Sequence, residues 1–258
     1  MRVTERMQSP TATLGEISDL IKSDVGLSAK VLRLANSSYY SIPGGVSDVS
    51  KALQYLGFTT IAQIVLTSSV FGSFKTQGIR EFSLAPFWLH SFAVGQLAEM
   101  TARTLQMESP SDAFIGGLIH DVGKLILLEI APEHLSRIVR LAREKKLSFL
   151  AAEKELGDST HVELGLELAR HWKLPPGIQN AIAHHHSVKN DRACTLIQWA
   201  NLRVNFRNLG NSGNFDPTIE AAMNETQTRL GLSTGALEAL EIHFQKEFEK
   251  AGAILSGH

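Results

Sequence analysis

An all-α fold is what the sequence predicts, and three observations agree on it. Apolar residues recur at helical spacing nearly throughout, whereas no segment alternates cleanly over the length of a strand. Thr13 with Glu16 and Thr160 with Glu163 form T-x-x-E capping boxes, in which the hydroxyl accepts from the N3 amide and the glutamate reaches back to the cap. Prolines stand where helices should begin, at Pro110, Pro132 and Pro175-Pro176, because the missing amide hydrogen is no loss in a first turn.

The first helix should start after Thr13, with Leu14, Ile17, Leu20 and Ile21 as its buried stripe. Asp24 caps the next, which carries Leu27, Val31, Leu34 and Ala35 on one side. It ends in Asn36-Ser37-Ser38-Tyr39-Tyr40 ahead of the Pro43-Gly44-Gly45 turn. Ser47 caps a third helix through Leu56, and Gly57 breaks it before the apolar stretch from Ile61 to Phe74. Between Lys75 and Ser83 the chain turns polar, which sets an N-terminal helical lobe over residues 1–78 against a second lobe over 79–258. A long helix from Pro86 to Leu105 spans the join. Further helices start at Ser109-Pro110, Pro132, Ser148, Thr160 and Pro175-Pro176, and the stretch from Asn208 to Asp216 reads as a loop. A last amphipathic helix runs from about Ser233 to Ala251, with Leu237, Leu240, Phe244 and Phe248 on one face.

Composition narrows the function. Apolar residues are 43% and charged residues 20% of the 258 positions, close to the globular average, so neither a disordered nor a fibrous chain is indicated. With 25 Lys+Arg against 26 Asp+Glu the net charge is -1, which supplies no field for bulk nucleic-acid binding or for an anionic membrane surface. Cys194 is the single cysteine, so no intrachain disulfide and no thiolate zinc site can form, as in a reducing compartment. The start is polar, and no apolar run reaches the roughly 20 residues that span a bilayer. The expectation is a cytoplasmic protein with no membrane partner.

Chemistry concentrates in the histidines. Residues 113–125 read AFIGGLIHDVGKL, an apolar helix that delivers His120 and Asp121 side by side at its end. Imidazole nitrogen and carboxylate oxygen suit Fe, Mn, Co, Ni or Zn, and adjacent residues reach one ion only where a helix end lets them converge. Gly116 and Gly117 let neighbouring helices approach, Gly123 allows a turn, and Lys124 offers a cation to an anionic ligand. Each feature has a plainer alternative. A lone His in an apolar helix, such as His90, is ordinarily a satisfied core residue. The run His184-His185-His186 could be a solvated helix end that suits the dipole, and His134 and His243 read as surface groups.

In series, however, these pieces resemble the HDOD family, the HD-related output domains of the HD superfamily of metal-dependent phosphohydrolases. The resemblance runs through Phe87-Trp88-Leu89-His90-Ser91, residues 113–124, Leu156-Gly157-Asp158-Ser159-Thr160-His161, Trp172-Lys173-Leu174-Pro175 and Ala181-Ile182-Ala183-His184-His185-His186. Upstream, residues 27–37 look like the family's N-terminal signature and residues 52–57 fit the helix after it. The similarity covers roughly Leu14 to Arg203. It implies a two-lobed helical HDOD architecture with an HD-type core in the C-terminal lobe. The superfamily's ligands, a first His, the His-Asp pair and a distant Asp, carry over to His90, His120 and Asp121. Asn201 stands where the distant Asp is expected. Enzymes of the superfamily that cleave cyclic dinucleotides use a further His and a His-His pair for a second ion, which match His161, His185 and His186, and a Lys like Lys124 for phosphate. They also carry a Gly-Tyr-Pro segment after the His-His pair, where this chain has Ser187-Val188-Lys189-Asn190.

The resemblance implies one or two divalent ions and two competing functions. One is a signalling or regulatory module with protein partners, in which the pocket is a degenerate, metal-loaded sensor of a nucleotide or phosphate ligand; this is the preferred expectation. The other is a working phosphohydrolase, in which Asp121 and Lys124 are catalytic and water or Asp191 substitutes for the carboxylate lost at Asn201. A third, structural alternative makes the histidines a buried hydrogen-bond network without metal.

Overall fold

The computed structural model describes residues 12–23, 27–28, 31–32, 35–36, 42, 45–57, 61, 78–157, 159–187, 191–214 and 218–255. Among them are eleven named helices and no strand, only an isolated bridge between Ile79 and Phe82. The chain forms two compact units, one of Met1–Phe74 with Gln245–His258 and another of Lys75–Phe244. No helix among the described residues is long and apolar enough to cross a membrane.

In the first unit, α1 (Leu14–Lys22) opens on the expected capping box, with both reciprocal bonds between Thr13 and Glu16 present. Ile17 and Ile21 are fully buried. Leu14 is not part of that stripe: it is 45% exposed, because Ser18 takes the inward position and bonds Ser50 Oγ at 2.8 Å. The helical residues 49–57 are capped by Asp48 rather than Ser47, since Asp48 Oδ1 accepts from the Lys51 amide at 3.0 Å. Gly57 follows with φ +76°, the left-handed conformation that ends a helix at little cost for glycine. Asn36 clamps the incoming chain, its side chain accepting from the Val46 amide and donating to the Val46 carbonyl. Leu27, Val31, Ala35, Leu53 and Ile61 join the same core. The cap expected at Asp24, Leu34, the turn at Pro43-Gly44 and most of the stretch from Ile61 to Phe74 lie outside the described residues.

The second unit carries the site. α2 (Leu84–Thr104) begins two residues before the expected Pro86, and α3 (Pro110–Ile119) packs along it. Their crossing is set by two glycines. A Cβ on Gly117 would lie 2.7 Å from the Gly95 Cα, and one on Gly95 would lie 2.7 Å from the Phe114 carbonyl. The helices therefore touch backbone to backbone, as the sequence reading required of Gly117. α4 (Val122–Ile130), α5 (Pro132–Lys145) and α6 (Phe149–Leu156) follow, with Ser148 Oγ accepting from the Ala151 amide at the start of α6. α7 (His161–His171) starts at the second capping box, and α8 (Pro176–His184) has Pro at its first position. α9 (Arg192–Phe206) and α10 (Ile219–Leu230) fall where no boundary signal was read. α9 is buried along most of its length, Trp199 included, so no polar face marks it as a helix. The final helix, α11 (Thr234–Leu255), buries Leu240 and Phe244 in this unit, and Phe248, beyond the unit's end, is buried as well.

Candidate metal centre

Four places in the second unit deliver the candidate ligands to one buried volume. α2 presents His90. The two-residue link between α3 and α4 presents His120 and Asp121, with the Lys124 amide bonding the Asp121 carbonyl at 2.9 Å to restart the helix immediately. His161 is the first residue of α7, and His185 and His186 follow the end of α8. His90, His120, Asp121, Lys124, His161 and His185 are buried, and His186 is half-buried. The triple-histidine run is thus no solvated helix end.

Glycine again fixes the approach. A Cβ on Gly123 would meet the His161 carbonyl oxygen at 1.9 Å, so α4 and α7 pack at a distance only glycine permits. The residue is helical and has no positive φ. It therefore permits helix contact, and the turn expected there does not occur.

Two clusters share Asp121. In the first, ligand atoms of Asp121, His161, His185 and His186 all lie within 4.8 Å of one another; in the second, those of His90, His120 and Asp121 do. His161 Nε2 is 3.3 Å from His185 Nε2 and 3.1 Å from His186 Nε2. Asp121 Oδ1 is 3.3 Å from Nε2 of both His161 and His185. On the other side of the carboxylate, Oδ2 is 3.3 Å from His120 Nε2 and accepts from Lys124 Nζ at 2.7 Å.

The outer nitrogens reveal the tautomers. His120 Nδ1 faces the Gly117 carbonyl at 2.7 Å, His185 Nδ1 faces the Ile182 carbonyl at 2.8 Å, and His161 Nδ1 faces Glu153 Oε2 at 2.6 Å. Carbonyls and carboxylates only accept, so each Nδ1 carries a proton, and in its neutral form each ring turns an Nε2 lone pair inward. One proton on His161 Nε2 could serve only one of its three neighbours well. Asp121 Oδ1 and His120 Nε2, both buried, have no hydrogen bond of normal geometry, and neither do the two His90 nitrogens. A cation would resolve the arrangement. An ion held tetrahedrally at about 2.0–2.1 Å spaces its nitrogen ligands about 3.3–3.4 Å apart, close to the four separations of the first cluster. The donor set fits a divalent ion.

Electrostatics follow from burial. It opposes charge on His161, but the carboxylates of Asp121 and Glu153 outweigh it and raise the pKa above the ordinary value. Burial, reinforced by neighbouring imidazoles, depresses His90 to about 3 and His186 well below its usual range. His185 falls to about 4, with burial partly offset by Asp121. The neutral form, which a metal requires, is thereby favoured at three histidines. Burial would raise Asp121, yet Lys124 and the imidazoles hold it well below the usual carboxylate range. Burial lowers Lys124, with Asp121 opposing.

Sequence reasoning missed two residues. Glu153 accepts from the His161 amide at 2.7 Å as well as from its ring. Its one signal was its place on the inner face of α6, four residues after Phe149 and beside Ala152, all three buried. Asn214 accepts from Lys124 Nζ at 2.7 Å, so the lysine is held between Asp121 and Asn214 above the Phe149 ring. Asn201 is buried in α9, accepts from Asn205 Nδ2 at 2.8 Å, and lies near enough to His90 to favour its charged form. Asp191 is elsewhere, capping α9 through the Ala193 and Cys194 amides. Of the other histidines, His243 is exposed, but His134 is half-buried and not the surface group expected.

The chain belongs to the HDOD domain family, whose model matches residues 1–188. A structure of an HDOD domain protein with unknown function from Geobacter sulfurreducens is 24% identical, with a TM-score of 0.80 over 99% of this chain and 90% of that one. A Shewanella amazonensis SB2B protein provisionally named a phosphohydrolase is 25% identical, with a TM-score of 0.76 over 99% and 92%. The MmoQ response regulator of Methylococcus capsulatus is 26% identical, with a TM-score of 0.50 over 93% of each chain. Among curated proteins, an uncharacterised one from Treponema pallidum is 23% identical over 80% of this chain, which spans only 41% of that relative's length.

Proposed function

We propose that this HDOD protein is a signal-transduction module. Its His/Asp cluster holds a divalent metal ion and serves as a ligand-sensing pocket with degenerate catalysis, while its helical surfaces, including the N-terminal lobe of residues 1–78, bind partner proteins. The observation that carries the reading is the buried meeting of His161, His185 and His186 Nε2 with the Asp121 carboxylate, ligand atoms that all lie within 4.8 Å of one another. His161, His185, His186 and Asp121 hold the ion, which is Fe, Mn, Ni, Co or Zn by ligand type. When bound, such an ion polarises a phosphoryl oxygen and lowers the pKa of water.

The residues themselves argue for sensing over turnover. Asp121 is the only carboxylate the two clusters share, and its Oδ2 is already paired with Lys124. The second cluster faces the neutral amide of Asn201 where a second carboxylate would be needed to neutralise a second ion. Lys124 is spent on Asp121 and Asn214, so it does not reach out to a phosphate. The kinship with a response regulator supports the signalling role, and the kinship with the Shewanella protein supports phosphohydrolase activity as the second reading.

Metal analysis of the purified chain, followed by turnover assays on cyclic dinucleotides and nucleotides, tests this. About one ion per chain, lost in Asp121→Ala, with no turnover is expected. Protein that stays metal-free after expression in metal-supplemented medium would refute the metal centre. Hydrolysis abolished by Asp121→Ala would establish the phosphohydrolase instead.

A further inference from the structure

We infer that residues 209–214 form a strap whose grip on α2 and Lys124 is released when a cation binds at Asp121, with Lys124 as the part that moves. The inference rests on the metal centre proposed above and concerns what the fold does with it. Past the end of α9 the chain turns at Asn208, whose φ is 54°, and runs onto α2. Gly210 meets the turn that carries His90 backbone to backbone: a Cβ on it would lie 2.4 Å from both the His90 amide nitrogen and the Pro86 carbonyl oxygen. The Asn211 amide donates to that same carbonyl at 2.8 Å.

The far end of the strap holds the ammonium. Asn214 Oδ1 accepts from Lys124 Nζ at 2.7 Å, and Asn214 Nδ2 donates to Ser212 Oγ at 2.9 Å. Ser212 is buried, and the Gly213 amide donates to Asn211 Oδ1 at 2.7 Å, so a displacement of the Asn214 carboxamide is passed back along the segment. Gly213 lies against Phe149 and Phe82, its Cβ position 3.5 Å from atoms of each ring, and Phe149 packs edge-on to His161. Outward, Asn211 and Gly213 help to line a cavity of about 160 Å³ together with the exposed Arg80 and Arg143. One short segment thus touches Lys124 on the inside and a basic surface on the outside.

Charge supplies the trigger. Lys124 has no exposed surface, and its hydrogen-bond acceptors among the described residues are Asp121 Oδ2 and Asn214 Oδ1. A divalent ion ligated by the same carboxylate takes up the charge that holds the ammonium and repels it as well. A buried ammonium left with a neutral amide as its acceptor is costly, so it moves towards water, in the cleft of about 440 Å³ that Asn214 lines. Asn214 loses its place with it, and the strap loosens from α2.

Hydrogen–deuterium exchange of the full chain, chelator-treated and zinc-loaded, tests the inference, with zinc content measured on the same samples. A bound ion stabilises the folded state and slows exchange, so a segment that merely completes the fold would exchange more slowly with zinc. The expected result for the strap has the opposite sign: peptides covering 208–214 exchange at least about fivefold faster in the zinc form, while α7 and α8, which deliver the ligands, exchange more slowly. Asn214→Ala should show the faster strap exchange already without zinc and no further response to it. Coupling between two sites is reciprocal. Gly210→Ala, which pries the strap from two backbone atoms, should therefore bind zinc more tightly, by up to the same factor, where simple damage would weaken binding. Bound zinc with strap exchange unchanged or slowed would overturn the inference and leave the metal centre standing. A zinc response that persists in Asn214→Ala, or weaker zinc binding in folded Gly210→Ala, would overturn it too. Protein that takes up no zinc would overturn both the strap's release and the metal centre.

Discussion

Replacing Gly123 by alanine adds one methyl group where α4 meets α7, and the geometry sets the size of the effect. The new carbon would lie 1.9 Å from the His161 carbonyl oxygen, 2.7 Å from its carbon and 2.8 Å from the Gly165 amide nitrogen. All three are backbone atoms, so no rotamer change relieves the clash, and the helices must part by about 1.5 Å to reach ordinary contact. Overpacking of this kind costs about 1–3 kcal/mol, which for a chain of this size lowers the melting temperature by about 2–12 °C. The same shift carries His161 away from Asp121, whereas metal–ligand distances tolerate only about 0.2 Å, so metal affinity should fall at least tenfold. Gly177→Ala is the control, because nothing lies within 4 Å of its Cβ position; it should be neutral or stabilise by up to about 1 kcal/mol. Scanning calorimetry and a competition titration against a chromophoric chelator read the two effects. Wild-type stability and affinity in Gly123→Ala would refute the close crossing. Lost stability with unchanged affinity would show that the crossing does not position His161.

Three further outcomes are expected. Glu153→Gln keeps one acceptor for the His161 amide or ring but removes the charge behind the imidazole, and metal affinity in the competition titration should drop about 10–100-fold; an unchanged value would remove Glu153 from the site. Asn201→Asp places a carboxylate beside His90 and should raise the metal content of the purified protein from about one ion to about two; a constant content would mean that the second cluster is not completed from α9. In chelator-treated protein, His90 and His185 have folded pKa values of about 3 and about 4 against an ordinary 6.5, and His186 is depressed too. Each binds fewer protons folded than unfolded below 6.5, so its contribution is present above that pH and lost as pH falls. His161, with a raised pKa, contributes below 6.5 and loses its contribution as pH rises through its folded value. Three against one leaves a melting temperature that falls as pH is lowered from about 7 to about 4.5, and a rise over that window would contradict the burial of the neutral rings.

Much of this was legible from periodicity and caps. Both capping boxes, the proline starts and the Gly117 contact follow from local chemistry that acts within one turn or one crossing. The places that departed have tertiary causes. Leu14 has the right spacing to be buried, but Ser18 has a partner in Ser50 and takes the inward position. α9 presents no amphipathic face because apolar and amide side chains are buried all round it. The site's histidines were visible as residues, whereas the atoms that aim them were not. Backbone carbonyls of Gly117 and Ile182 carry no sequence signal, and Glu153 differs from the exposed Glu155 only in which face of α6 it occupies.

Lys124 supplies the buried Asp121 carboxylate with a counter-charge from the protein itself. A carboxylate with no exposed surface and no counter-charge would be expelled or neutralised. Lys124 Nζ at 2.7 Å keeps Asp121 ionised, and Asn214 and the Phe149 ring occupy the rest of the ammonium's surface. The pairing has a cost for chemistry. Oδ2 is the oxygen that faces His120, so the same bond that stabilises the free carboxylate opposes its use as a bridge between the two clusters. Oδ1 remains available to His161 and His185. On the proposed reading, metal occupancy of the first cluster and catalytic competence of both together are therefore separate properties, set by the charge at positions 124 and 201.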